Sequence, residues 1–227
     1  MSNKPNLRTA APKRPAEERR PWWLSPITWV VGILVVAFVV TIALTAGGDD
    51  DSGVSVTGSE TAFAEILGPP LPLFDGAGNA VGTEAPRIVA QTMDGDRVEV
   101  GGDGTARLYG FFTHWCSHCQ AELPRVTAWL GENALPDGVE VVAVSTSVDP
   151  TRNNYPPSAW FEREGWPTTV LVDDVDSPVA RGFGLSAFPF WVAVDAEGNV
   201  VARSEGELDI EQFEALVDLV NPGSATS

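Results

Sequence analysis

Cys116 and Cys119 are the two cysteines of this 227-residue chain, and they stand inside Phe111-Phe112-Thr113-His114-Trp115-Cys116-Ser117-His118-Cys119. An apolar run ends there and a helical pattern begins. On a helix, residues three apart share a face at a separation that suits disulfide geometry, so this pair can close and open without rebuilding the backbone. The first cysteine falls at the helix N-terminus, where unpaired amides and the macrodipole favour the thiolate, the nucleophilic form. Reversible thiol-disulfide exchange is the chemistry that this spacing suits.

Other uses of the same residues fit less well. A bridge across so short a loop removes little unfolded-state entropy, and no further cysteine exists to build a framework. His114, Cys116, His118 and Cys119 are four potential zinc ligands, but zinc sites set two ligand pairs on separate elements rather than four ligands within six residues. Haem attachment needs histidine directly after the second cysteine, and Gln120 is there. The expectation is therefore no metal, and no cofactor beyond a redox-active Cys116–Cys119 disulfide. His114 reads as a surface or loop histidine.

The elements that must position the pair alternate in type. Arg87–Thr92 and Arg97–Val100 flank Asp94-Gly95, a hairpin signal. Arg107–Phe112 reads as a buried strand and Ser117 to about Gly131 as a helix. Strand Val139–Ser145, helix Ser158–Glu164, strand Thr168–Val172 and helix Ser177–Phe183 come next. Strands Phe190–Val194 and Val200–Ser204 surround the turn Asp195–Asn199, and Asp209 caps a closing helix whose apolar face is Phe213, Leu216, Val217 and Val220. Such alternation predicts an α/β domain with a central mixed sheet flanked by helices.

Ahead of that domain the composition changes twice. Residues 1–25 carry six basic and two acidic side chains, a net +4, and Ile27 to Ala46 are 20 residues without a charge, about 30 Å as a helix and enough for a bilayer core. A cleaved signal peptide would have a shorter apolar region and a small-residue cleavage site, so a single transmembrane anchor over 26–46 is favoured, its basic end and Trp22, Trp23 and Trp29 at the cytoplasmic interface. The chain as a whole stands at −17, which leaves −21 for everything after residue 25, from eight arginines, no lysine and 29 acids. That charge excludes nucleic acid as a natural partner and favours solubility. Residues 47–80, rich in Gly, Asp and Pro, read as a flexible linker, in which Thr61–Leu67 suits a helical turn or two. The compact domain is expected over 81–221, with 222–227 as a tail.

From Val81 to Val220 the chain resembles the thioredoxin-like fold, and within it the membrane-anchored TlpA and ResA-like thiol-disulfide oxidoreductases of bacteria. The resemblance rests on Val81-Gly82-Thr83-Glu84-Ala85-Pro86 as the lead-in and on Trp115-Cys116-Ser117-His118-Cys119 as the redox motif. Pro124 matches the kinking proline of the first helix, and Ser186-Ala187-Phe188-Pro189-Phe190 matches the segment with the cis-proline. The strand and helix between Cys119 and Pro189 are similar to this branch's insertion. Trp166-Pro167-Thr168-Thr169 is a rival for the cis-proline, but the order of strand, turn, strand and final helix comes after Pro189. Two departures stand out. The buried aspartate that thioredoxins carry before the motif falls on Gly110, with no acid beside it, and Ser117-His118 replaces Gly-Pro.

The resemblance implies that Cys116 attacks a partner disulfide and that Cys119 resolves the mixed disulfide. It implies that Ser117 and His118 tune the potential, that Trp115, Phe188 and Pro189 meet the substrate, and that protein thiols or disulfides outside the membrane are the partners, together with a membrane electron donor or acceptor. Direction stays open. The family favours a reductant, as in keeping apocytochrome c thiols reduced, whereas His118 and the missing aspartate lean toward a disulfide oxidase. A copper metallochaperone of the same fold uses cysteines separated by three residues and a distant histidine, whereas here two residues separate them and both histidines adjoin the motif. In a peroxidase of the peroxiredoxin type, the proline before Thr113 would fall on Tyr109.

Overall fold

The computed structural model describes residues 63–76 and 78–221. The expected cytoplasmic tail, transmembrane anchor and C-terminal tail lie outside the described residues, as does the linker up to residue 62. Among the described residues no helix is long and apolar enough to cross a membrane.

Within the described residues eight strands form one mixed sheet: β1 (Ala64–Leu67), β2 (Arg87–Thr92), β3 (Arg97–Val100), β4 (Ala106–Phe112), β5 (Val139–Ser145), β6 (Val170–Val172), β7 (Phe190–Val194) and β8 (Val200–Glu205). Their order is β1-β2-β6-β5-β4-β7-β8, with β3 paired to β2. Among the described residues four helices accompany them: α1 (Ser117–Glu132), α2 (Pro157–Glu164), α3 (Pro178–Gly182) and α4 (Ile210–Val220). This is the thioredoxin-like α/β arrangement. From β2 onward the element boundaries agree with the sequence pattern to within two residues.

The central strand shows why. All seven residues of β4 are buried, because it lies between parallel β5 and antiparallel β7 with helices over both faces. Side chains alternate across it. Leu108 and Phe112 join the core beneath α1, α2 and α4, with Leu123, Trp160, Trp191 and Phe213. Tyr109 and Phe111 join the core on the other face, with Phe183, Phe190 and Val179 of α3. Each fully buried aromatic contributes roughly 1.5–3 kcal/mol. At the far end of the chain, Asp209 accepts from the Gln212 amide while the Gln212 side chain accepts from the Asp209 amide, a reciprocal cap that starts α4.

Residues 63–76 and 78–80 correct the expectation of a linker there. Ala64–Leu67 is a strand rather than a helical turn, paired antiparallel with β2 from Ala64↔Ala90 to Leu67↔Arg87. Its partner strand supplies hydrogen bonds that an isolated seven-residue stretch cannot make for itself. The prolines beyond it run extended across the domain and are clamped there. Arg203 donates through Nη1 to Pro72 O at 2.8 Å and through Nη2 to Asn79 Oδ1, and its guanidinium lies 5.2 Å from the Phe74 ring centre. Leu71 and Phe74 amides bond Gly182 and Gly184 carbonyls. Gly184 is required, since a Cβ there would meet Pro72 O at 2.2 Å.

Candidate active site

Topology brings the motif and Pro189 to one end of the sheet. β4 runs out through Phe112 into Thr113-His114-Trp115, and Phe111 pairs with Phe190 of β7, so Pro189 lies at the same edge. The Phe188–Pro189 peptide is cis, and so is Tyr155–Pro156, which nothing in the sequence pattern announces. The Trp166–Pro167 bond is not among the cis peptides.

Cys116 is the N-cap of α1, with extended backbone (φ −78°, ψ 125°) and no side-chain cap bond. The first-turn amides thus face the sulfur's neighbourhood without a competing Ser, Thr or Asp acceptor. Cys116 is half-buried and Cys119 fully buried, both as free thiols. Burial is the main reason the Cys119 thiol is pushed far above its ordinary range, reinforced by Cys116 and by the negative charge of Glu122. The two sulfurs therefore differ in kind: one reachable, one shielded. Ser117 opens the helix in solvent, and Pro124 lies inside α1, where it offers no N–H to the preceding turn.

Trp115 is held edge-on to Phe188, ring centres 6.2 Å apart, and donates from Nε1 to Ser147 O at 2.9 Å. Arg152 covers the indole at 4.9 Å. These residues form the apolar rim beside the motif. His118, at 66 % side-chain exposure, turns its Nδ1 to Glu207 Oε2 at 3.0 Å. His118 and Arg125 hold the Glu207 carboxyl below its usual range.

His114 is a loop histidine, in the turn between β4 and α1, but not a surface one: it is 1 % exposed. The Asp149 amide donates to its Nε2 at 3.2 Å, which leaves Nδ1 to carry the proton and donate to Asn153 O at 2.6 Å. Its carbonyl accepts from Gln120 and Asn154 side chains. The ring thus ties the motif to the β5–α2 loop. A lone polar residue at a strand end gives no sequence sign of which loop will close over it.

Glu122 is the residue that sequence reasoning missed. It is completely buried in α1, one turn past Cys119, and accepts from Trp191 Nε1 at 2.5 Å and from the Leu208 amide at 2.5 Å. Desolvation raises its carboxyl to about 7, against the pull of those two donors. Gly110 explains the placement. A Cβ at 110 would meet Trp191 Cη2 at 2.7 Å, so the indole fills the space over the strand where an aspartate would stand, and the acid comes from the helix instead. A signal was available: Glu122 interrupts the stripe Cys119, Leu123, Val126 that must face the core.

Residues 80–217 match the family model described as Redoxin. The thiol:disulfide interchange protein HelX of Rhodobacter capsulatus is 23 % identical over 147 residues, covering 63 % of this chain and 78 % of HelX. DsbE of Xylella fastidiosa, a thiol:disulfide interchange protein, is 23 % identical over 188 residues, 83 % of this chain and 81 % of DsbE. Among solved structures, the thioredoxin domain of thiol-disulfide oxidoreductase BVU-2223 from Bacteroides vulgatus aligns with TM-score 0.51 at 22 % identity, over 63 % of this chain and 99 % of that one. A thioredoxin family thiol:disulfide interchange protein from Chlorobium tepidum TLS also gives 0.51 at 22 %, over 61 % and 96 %. These two likenesses establish the fold.

Proposed function

The chain belongs to the Redoxin family as a thioredoxin-like protein of the TlpA/ResA type, and from that premise we propose a membrane-anchored, extracytoplasmic thiol-disulfide oxidoreductase that exchanges disulfides with proteins through Cys116 and Cys119. Its enzyme class is that of its homologues. The observation that carries the proposal is the asymmetry of the pair: Cys116 half-exposed at the cap of α1, Cys119 fully buried below it with the Glu122 carboxyl nearby.

Acting on a partner disulfide, the Cys116 thiolate forms a bond to one partner sulfur, and the partner S–S bond breaks. The other partner sulfur leaves as a thiolate and takes a proton. Glu122, as carboxylate, then takes the Cys119 thiol proton through a water, and the Cys119 thiolate attacks Cys116 Sγ. The mixed disulfide breaks, and the second partner sulfur leaves as a thiolate and takes up the proton that Glu122 passes back through water. Two electrons and two protons have moved to the partner, and Cys116–Cys119 is a disulfide. Trp115, Phe188 and the backbone at Pro189 receive the extended partner segment.

Reduction is the favoured direction, with the apocytochrome c disulfide as the substrate that the TlpA/ResA-like resemblance implies, its thiols being kept reduced. One lean toward oxidation came from the absent strand aspartate, and Glu122 supplies an acid in its stead. A second reading, a disulfide oxidase, is favoured by the His118–Glu207 pair at the helix start. The uncharged run 27–46 behind a basic tail supports anchoring with the domain outside. A membrane electron donor recharges the pair.

The test joins three measurements on the full-length chain: insulin disulfide reduction with dithiothreitol, trapping of a mixed disulfide by Cys119→Ser, and the potential of the pair. Insulin reduction, a trapped protein partner and a potential nearer thioredoxin's, about −270 mV, are expected. A potential near −120 mV, roughly that of strong disulfide oxidants, selects the second reading. Loss of both insulin reduction and trapping sinks the enzyme.

A further inference from the structure

His118, Glu122 and Arg125 stand at i, i+4 and i+7 of α1, one stripe of the helix that carries the thiols. All three are gripped by two consecutive residues between β8 and α4. Glu207 Oε2 meets His118 Nδ1 at 3.0 Å and Glu207 Oε1 meets Arg125 Nη2 at 2.8 Å. The Leu208 amide donates to Glu122, and its carbonyl accepts from Arg125 at 2.9 Å.

The backbone on either side of Glu207 is anchored too. Before it, the Gly206 amide donates to Pro189 O at 2.8 Å, from a backbone at φ +81° that glycine tolerates. After it, the Leu208 amide is bound to Glu122 in α1. Glu207 therefore sits between one anchor on the cis-proline segment and another on the thiol helix. His118 has two-thirds of its side chain in solvent, and Glu207 is the hydrogen-bond partner that the structure gives its ring.

We propose that Glu207 is a positioning residue for the Cys116–Cys119 pair: by accepting the Nδ1 proton of His118 it fixes the tautomer and direction of the imidazole that stands two residues after the nucleophilic thiol in the first turn of α1, and so sets the redox equilibrium. The inference rests on the reading of Cys116 and Cys119 as the exchanging pair. An ionised carboxylate only accepts, so Nδ1 must carry hydrogen. An imidazolium held in one direction in the first turn of α1 stabilises the Cys116 thiolate and with it the reduced pair. Arg125 on the other oxygen offsets the repulsion that Glu207 itself would exert on the thiolate.

The experiment equilibrates full-length wild type, Glu207→Gln, His118→Ala and the double variant in glutathione buffers, with Cys116 thiolate absorbance tracked against pH. Glu207→Gln is nearly isosteric, and its melting temperature checks the fold. It is expected to shift the equilibrium about fivefold toward the disulfide, about 20 mV at 29.6 mV per tenfold. With His118→Ala in place, the same change is expected to move it less than twofold. An equal shift in both backgrounds, a shift toward the dithiol, or less than twofold in wild type overturns the inference. A wild-type chain that forms no reversible Cys116–Cys119 disulfide sinks the underlying reading with it.

Discussion

Trp191 donates its indole N–H to Glu122 at 2.5 Å while the same ring occupies the space over Gly110. One side chain thus closes a strand position to any acid and secures the acid that replaces it. Gly110 and Trp191 are cross-strand partners in the β4–β7 ladder, so the exchange is built into the register. The consequences are measurable.

Glu122→Gln keeps the shape and one of the two acceptor oxygens that Trp191 and Leu208 use, but cannot take a proton. Formation of a mixed disulfide with Cys116 is expected to proceed at the wild-type rate, while its resolution by Cys119 slows about 100-fold. Wild-type resolution is expected to rise with pH through about 7, the value to which burial pushes the carboxyl. Stopped-flow mixing at several pH values checks both, and an unchanged resolution rate removes Glu122 from the mechanism.

The same group makes stability depend on pH. Folded, Glu122 keeps its proton to about 7, while the ordinary value is 4.5. Between those values the folded chain binds more protons than the unfolded one, so stability falls as pH rises, by about 3 kcal/mol in all. The contribution is fully present below 4.5 and lost above about 7. Urea unfolding of reduced wild type and Glu122→Gln at pH 4.5 and 8 checks this by difference. A difference that stays constant with pH means that Glu122 titrates as an exposed carboxyl.

Gly110→Ala is expected to cost about 1–3 kcal/mol, because the new methyl must displace the Trp191 ring within the core beneath α1. The displaced indole loosens its hold on Glu122, so resolution slows as well. Thermal unfolding and single-turnover kinetics on one preparation read both effects. A variant as stable as wild type would mean that the indole has room to move.

His114→Ala removes two hydrogen bonds to the loop at 149–153 and leaves the Asp149 amide and Asn153 carbonyl without the partner they have now. A loss of about 2–4 kcal/mol is expected from that and the vacated volume. Amide exchange is expected to quicken at 147–155 before the rest of the domain. Uniform exchange across the domain would deny His114 its local role.

Much of this architecture is legible in the chain because strand and helix periodicity governs where backbone groups find partners. β4, β5 and β7 are apolar runs with no alternative but burial, and Asp209 announces its helix. The thiols and Pro189 are legible from their neighbours in the chain. The features that escape depend on contacts across long separations. Ala64–Leu67 becomes a strand only because β2 has an edge to offer, and Arg203, 131 residues from Pro72, pins the proline segment beyond it. Glu122 escapes because its donors, Trp191 and Leu208, lie 69 and 86 residues away. His114 is hidden by a loop that closes over it from 35 residues on.

The bond from the Leu208 amide to Glu122 gives the catalytic cycle an observer outside the thiols. When the carboxyl gains a proton it becomes a weaker acceptor, and the amide hydrogen that points at it changes its magnetic environment. Leu208 is buried, so solvent does not blur the signal. Its nitrogen-15 resonance is a label supplied by the fold itself, one that tracks the proton of each turnover while the two sulfurs track the electrons.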